Sequence, residues 1–200
     1  ILSYKYLTKC DKEILPYVID LFNQTAIMVC QGQQYDMNLE ALQAVAVDEY
    51  LKMIELKTSV LIAASVKLGA VLGGANQMDL NDMYDFGRNL GMAFQIQDDL
   101  LDAYGDLKIF GKKPGSDIIA NKKTFLLVKA LEIASTEQKV RIYNQLKKKD
   151  FDTDKKINEI LSVYNELNIK DISEEMIKEY LSKSKSYLEK VSPDDYRKEQ

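Results

Sequence analysis

The sequence predicts an all-α protein, and three observations lead there. Glycine and proline are scarce, 9 and 3 in 200 residues, so few positions interrupt a helix. Apolar residues recur at i, i+3 and i+4 through most of the chain. No segment makes a convincing strand, because the period-two alternation of a half-buried one is missing.

Residues 12–31 read as one long helix. Leu15, Val18, Ile19, Phe22, Ala26 and Val29 form a single apolar stripe, and Pro16 is tolerable near the first turn. A second helical region covers residues 48–73, from DEYLKMIELKT into SVLIAASVKLGAVLGG, where small residues allow close helix approach. Gly69, Gly73 and Gly74 there read as packing followed by a helix stop. The next helix spans residues 80–104, with Asp79 as its cap and Gly105 as its end. GDLKIFGKKPGSD, residues 105–117, is the one long loop, and loops of this length are often functional. NKKTFLLVKALEIA then resumes helical spacing. Segments at 136–149, 154–167 and 173–190 are more charged and read as peripheral helices with solvated faces. With no internal repeat, a single all-α domain over residues 1–200 is the simplest organisation.

The totals narrow the chemistry. A net charge of -4 lacks the basic excess that a nucleic-acid backbone favours, so no nucleic-acid partner is expected. The chain has no histidine, which removes Ser-His-Asp and Cys-His catalysis and leaves Cys10 and Cys30 without zinc-site company. No run reaches the roughly 18 apolar residues of a membrane span, and ILSYKYLTKC lacks a signal peptide's layout. The expected location is the cytoplasm.

GMAFQIQDDLLDAYGD, residues 91–106, sets Asp98, Asp99 and Asp102 inside an otherwise apolar run. At spacings of three and four, their carboxylates are expected to leave the helix in one narrow sector, with Gln95 on the same face. One reading is a solvated face. The other is a site for Mg²⁺, which takes oxygen ligands and commonly joins one or two carboxylates to phosphate oxygens. The neighbours Phe94, Ile96, Leu100, Leu101, Gly91 and Ala93 suggest an enclosed helix, where an uncompensated acidic trio would be costly. A magnesium diphosphate would also need cations. Lys57 with Thr58, Lys112 with Lys113, and Lys122 with Lys123 are the candidates.

Five motifs in order resemble those of the all-trans isoprenyl diphosphate synthases, a family that includes farnesyl, geranylgeranyl and polyprenyl diphosphate synthases. They are GQQYD (32–36), YLKMIELKT (50–58), GMAFQIQDDLLDAYGD, GKKPGSDI and NKKT. The resemblance implies the helical isoprenoid synthase fold, long helices around a central cavity, and an Mg²⁺-dependent prenyltransferase. That enzyme would join isopentenyl diphosphate to an allylic diphosphate such as dimethylallyl, geranyl or farnesyl diphosphate. It implies Asp98, Asp99 and Asp102 as metal ligands, Asp98 foremost. Lys57, Thr58 and Lys122 would contact the allylic diphosphate, Gln95 would lie near the allylic group, and Lys112 or Lys113 would add a further contact. Gln33 and Asp36 would support the Lys57 site, and the protein would be a homodimer.

The sequence also departs from that family. No first aspartate-rich motif with its arginines precedes the matched region, so the 200 residues are expected to be a piece trimmed at both ends and inactive alone. Two other readings share the helical body: a class I terpene cyclase and a non-catalytic partner subunit. The Lys57-Thr58 pair and the GKKPGSD…NKKT segment favour chain elongation over cyclisation. The intact aspartates and lysines count against the partner subunit.

Overall fold

The computed structural model describes residues 2–105, 114–148, 150 and 152–192, and every regular element among them is helical. The order is α1 (Leu2–Leu7), α2 (Leu15–Ala41), α3 (Val47–Ile54), a π-helical turn (Glu55–Ser59), α4 (Val60–Leu72), α5 (Gln77–Tyr104), α6 (Ser116–Ile119), α7 (Phe125–Ile133), α8 (Thr136–Lys147), α9 (Thr153–Glu166) and α10 (Ile169–Leu188). None of the helices described is long and apolar enough to cross a membrane. The chain divides into two compact units.

The first unit takes residues 1–35, 53–93 and 179–200. Its helix α1 buries no residue, which is why no apolar period announced it. The expected end of α2 at residue 31 falls before Gly32, yet the helix runs on to Ala41. Gly32 is there because the π-helical turn crosses so closely that a Cβ would lie 2.3 Å from the Lys57 amide nitrogen. Gly87 does the same for α5 against α4, where a Cβ would lie 2.8 Å from Ala63 Cα. As expected, α4 stops at the glycines: Gly74 takes φ +74° and the Ala75 amide reaches back to the Ala70 carbonyl. Gly69, however, faces open space, so it is not a packing glycine.

The cap of α5 also differs from expectation. Asn76, not Asp79, accepts the first amides, from Met78 at 2.9 Å and Asp79 at 3.0 Å. A cap accepts from residues two and three positions on, so a helix starting at Gln77 leaves Asp79 inside its first turn. Buried there, Asp79 accepts from the Asn76 amide at 2.8 Å, and from Ser192 through N–H at 3.1 Å and hydroxyl at 3.0 Å. It joins the start of α5 to the chain beyond α10.

The second unit takes residues 36–52 and 94–178. Helix α9 packs on α6, α7 and α8 and buries Ile157, Ile160, Val163 and Tyr164. The expectation of a peripheral helix at 154–167 is therefore wrong: α9 is central to this unit, and even one of its charged residues, Lys156, is buried. Opposite it, α7 buries Phe125 through Val128. Side chains cap three helices here: Thr124 for α7, Ser135 with Gln138 in a capping box for α8, and Asp152 for α9.

Replacing Asp79 by Ala strips the acceptor from three donors. Urea unfolding should lose about 1–3 kcal/mol with an unchanged slope; an unchanged midpoint would disprove the tie.

Candidate active site

The C-terminal part of α5 carries Gln95, Asp98, Asp99 and Asp102. Consecutive helical residues point about 100° apart, and that rotation parts the first two aspartates: Asp98 is exposed, whereas Asp99 is 6% exposed. The expectation that Asp98, Asp99 and Asp102 share one narrow sector is thus corrected. Enclosure is also one-sided. Ile96 and Leu100 are buried, but Phe94 is 58% exposed.

Three donors hold the Asp99 carboxylate. The Tyr50 hydroxyl at 2.5 Å and the Phe125 amide at 2.8 Å donate to Oδ2, and Gln95 Nε2 at 3.2 Å donates to Oδ1. Phe125 opens α7, so its N–H has no partner within that helix and points at an anion along the favourable end of the helix dipole. Burial pushes the Asp99 carboxyl up to about 6, against the pull of Tyr50, Phe125 and Gln95. Burial, and then the charge of Asp99, raise the Tyr50 hydroxyl well above its usual range.

Asp102 organises the next segment. Its carboxylate accepts from the Ser116 hydroxyl and, at 2.8 Å, from the Asp117 amide, so it closes the start of α6 from outside. The Asp102 carbonyl accepts from the Gly115 amide at 2.6 Å. Asp117 in turn pairs with the Lys122 ammonium at 2.6 Å, and its carbonyl accepts from the Lys122 amide at 3.0 Å. The Asp117 hydrogen bond raises Lys122 above its ordinary value, and the charges of Asp102 and Asp99 add to it. Lys122 stays largely exposed, so the ammonium is oriented and still reachable. Asp117 is the residue that the list of candidates missed. Its signal was its place in GKKPGSDI, at the start of a short helix.

In the first unit, Lys57 and Thr58 are half-buried on the π-helical turn, where the Val60 amide reaches back five residues to the Glu55 carbonyl. Such turns inside α-helices are frequent at functional sites. Gly32 crosses on one side. On the other, a Cβ at Gly91 would lie 2.6 Å from Ser59 Cα, and the Ser59 hydroxyl donates to the Arg88 carbonyl. Arg88 also pairs with Glu55 at 3.3 Å. Gln33 is exposed on α2, and Asp36, in the second unit, is half-buried; it is Gly32 of this motif that touches the Lys57 backbone. Lys112 and Lys113 lie outside the described residues. Among those described, no three acidic or cysteine side chains gather closely enough to hold a metal ion by themselves.

The Polyprenyl synthetase family model matches residues 1–164. The chain belongs to this family. It is 35% identical over 186 residues to a short chain isoprenyl diphosphate synthase of Methanothermobacter thermautotrophicus, covering 93% of the chain and 55% of that protein. A geranylgeranyl diphosphate synthase of Sulfolobus acidocaldarius is 42% identical over 127 residues, covering 64% of the chain and 38% of that protein. A crystal structure of a geranylgeranyl pyrophosphate synthase superposes with TM-score 0.92 and 33% identity over 99% of this chain and 62% of that one. The Pyrococcus horikoshii geranylgeranyl pyrophosphate synthetase superposes with TM-score 0.89 and 29% identity, covering 98% and 59%. The all-α isoprenyl synthase fold is therefore this polyprenyl synthetase chain's fold. The chain spans little more than half the length of the first of these relatives and less of the second.

Asp99 separates two outcomes. Asp99→Asn keeps an acceptor and removes a buried charge, so stability should stay within about 1 kcal/mol of the parent. Asp99→Ala leaves the Tyr50 hydroxyl and the Phe125 amide unpaired and should cost about 2–4 kcal/mol in chemical unfolding. Equal losses in both variants would contradict the hydrogen-bond assignment.

Proposed function

We propose that the protein is a cytoplasmic, homodimeric trans-prenyltransferase that condenses isopentenyl diphosphate with an allylic prenyl diphosphate. One observation carries the reading: Asp102, Asp117 and Lys122 form a hydrogen-bonded chain that presents an oriented, accessible ammonium, with the exposed Asp98 carboxylate one helical turn from Asp102. Acidic and basic poles placed this way suit a metal diphosphate. The family and the printed names of the relatives favour chain elongation over cyclisation.

The donor chemistry fits Mg²⁺. The side chains near Asp98 and Asp102 offer oxygens and no imidazole, and Mg²⁺ is usually held by one or two carboxylates with waters and substrate phosphates. Asp98 and Asp102 would hold it, while Asp99, engaged with Tyr50 and Phe125, orients the helix between them. Bound magnesium supplies electrostatic stabilisation of the departing diphosphate.

In this reading Lys122, Lys57 and Thr58 bind the allylic diphosphate, and Lys112 or Lys113 adds a contact. Gln95 lies toward the allylic group; Gln33 and Asp36 support Lys57. The allylic C–O bond ionises, the isopentenyl double bond attacks the cation, and the proton then lost goes to the released diphosphate. A chain without histidine suits that scheme, because the protein supplies charge, orientation and dryness rather than a general base. Exposed apolar side chains on α2, among them Ile27 and Met37, are the kind of surface a second copy would cover.

The test is transfer from radiolabelled isopentenyl diphosphate by the natural protein, with each allylic primer and Mg²⁺ and with products resolved by length. Asp98→Ala and Lys122→Ala should each lower turnover at least about 10²-fold. Undiminished turnover in both would sink the assignment.

A further inference from the structure

The turn from Ile119 to Thr124 delivers Lys122, and its local backbone hydrogen bonds, among them the Thr124 amide to the Lys122 carbonyl at 3.0 Å, are joined by longer-range ones. Asn121 sits at φ +56°, a left-handed conformation that asparagine tolerates at some cost. Its side chain bridges two helices. Nδ2 donates to the Leu146 carbonyl of α8 at 3.1 Å, and Oδ1 accepts from Lys156 of α9 at 2.6 Å.

Lys156 is the unexpected partner. It is 1% exposed in the middle of the second unit, and its ammonium also donates to the Ile119 carbonyl at 3.1 Å, one of the acceptors left over at the end of α6. The next residue of α9, Ile157, fills the space over Gly115: a Cβ there would lie 2.7 Å from Ile157 Cδ1, and Gly115 takes φ +94°. Two consecutive α9 side chains therefore grip the segment at both ends, Ile157 where α6 begins and Lys156 where it closes. Between those grips lies Asp117, the partner of Lys122. Burying a cation is expensive, and burial lowers the pKa of Lys156 accordingly. A methionine would fill the same volume at less cost if packing were the whole purpose.

We propose that Lys156, acting through Asn121 and the Ile119 carbonyl, is a positioning residue that holds Lys122 and Asp117 for diphosphate binding; this rests on the reading of Lys122 given above. Lys156 itself touches no substrate. It sets the backbone from which Lys122 reaches out.

The experiment uses the natural protein with inorganic pyrophosphate and Mg²⁺ in titration calorimetry, together with backbone amide exchange. Lys156→Met should weaken pyrophosphate about ten-fold, the scale on which supporting partners act. Exchange at Asn121, Lys122 and Thr124 should rise at least about ten-fold, while the α9 amides of Ile160 and Val163 stay protected. In a double-mutant cycle, Lys156→Met should add nothing to Lys122→Ala, because both act through one ammonium. Asn121→Gly keeps the left-handed backbone and removes the bridge, so it should reproduce the Lys156→Met result and decides the matter if that variant loosens α9. Additive losses, or unchanged exchange at 121–124 in both variants, overturn the proposal. Faster exchange at the turn in a protein that binds no pyrophosphate would uphold the clamp and refute the diphosphate reading instead.

Discussion

A buried carboxylate has to be met by donors, and in this chain Asp99 is met by an N–H that α7 cannot use itself. That hydrogen bond, reinforced by the Tyr50 hydroxyl, fixes the end of α5 against the start of α7, and most of the second unit follows from it. Phe125 is fully buried just after the bond, so apolar packing and polar satisfaction select the same placement of α7. Thr124 caps the helix beside it. Near the end of α5, the Asp102 carboxylate meets the start of α6 through the Ser116 hydroxyl and the Asp117 amide.

The candidate site reads as a consequence of the same constraint. Asp99 is turned inward to serve the fold, which leaves Asp98, a hundred degrees around the helix, turned outward. Asp102 lies between these roles, half-buried and bonded to the start of α6. Repulsion among three like charges is therefore eased first by geometry, since only one of them faces solvent fully and the other two are met by neutral donors. Sharing the work in this way leaves the exposed Asp98, the half-buried Asp102 and one oriented ammonium for an outside ligand.

Helix periodicity was legible in the sequence wherever a helix has one wet and one dry side, as in α5, α8 and α10. It failed for α1, which buries nothing; for α9 it gave the helix but set it at the periphery, because TDKKINEILSVYNE looks solvated while a lysine in the core is indistinguishable from one on the surface until Ile119 and Asn121 are seen beside it. The aspartates, Lys57, Thr58 and Lys122 stood out as chemistry misplaced in apolar or glycine-rich surroundings. Which aspartate turns inward did not, because the deciding donor is 26 positions away. The π-helical turn was equally hidden: its five-residue hydrogen bond accompanies the crossings at Gly32 and Gly91, contacts that belong to tertiary structure.

The central claim is that Asp99 is a structural carboxylate while Asp98 is the one offered to a ligand. A crystal structure of the natural protein with Mg²⁺ and inorganic pyrophosphate tests this most directly. The account predicts a metal coordinated by Asp98, with Asp99 still accepting from Tyr50 and the Phe125 amide. Finding Asp99 swung out onto the metal, with those two donors left to water, would contradict it.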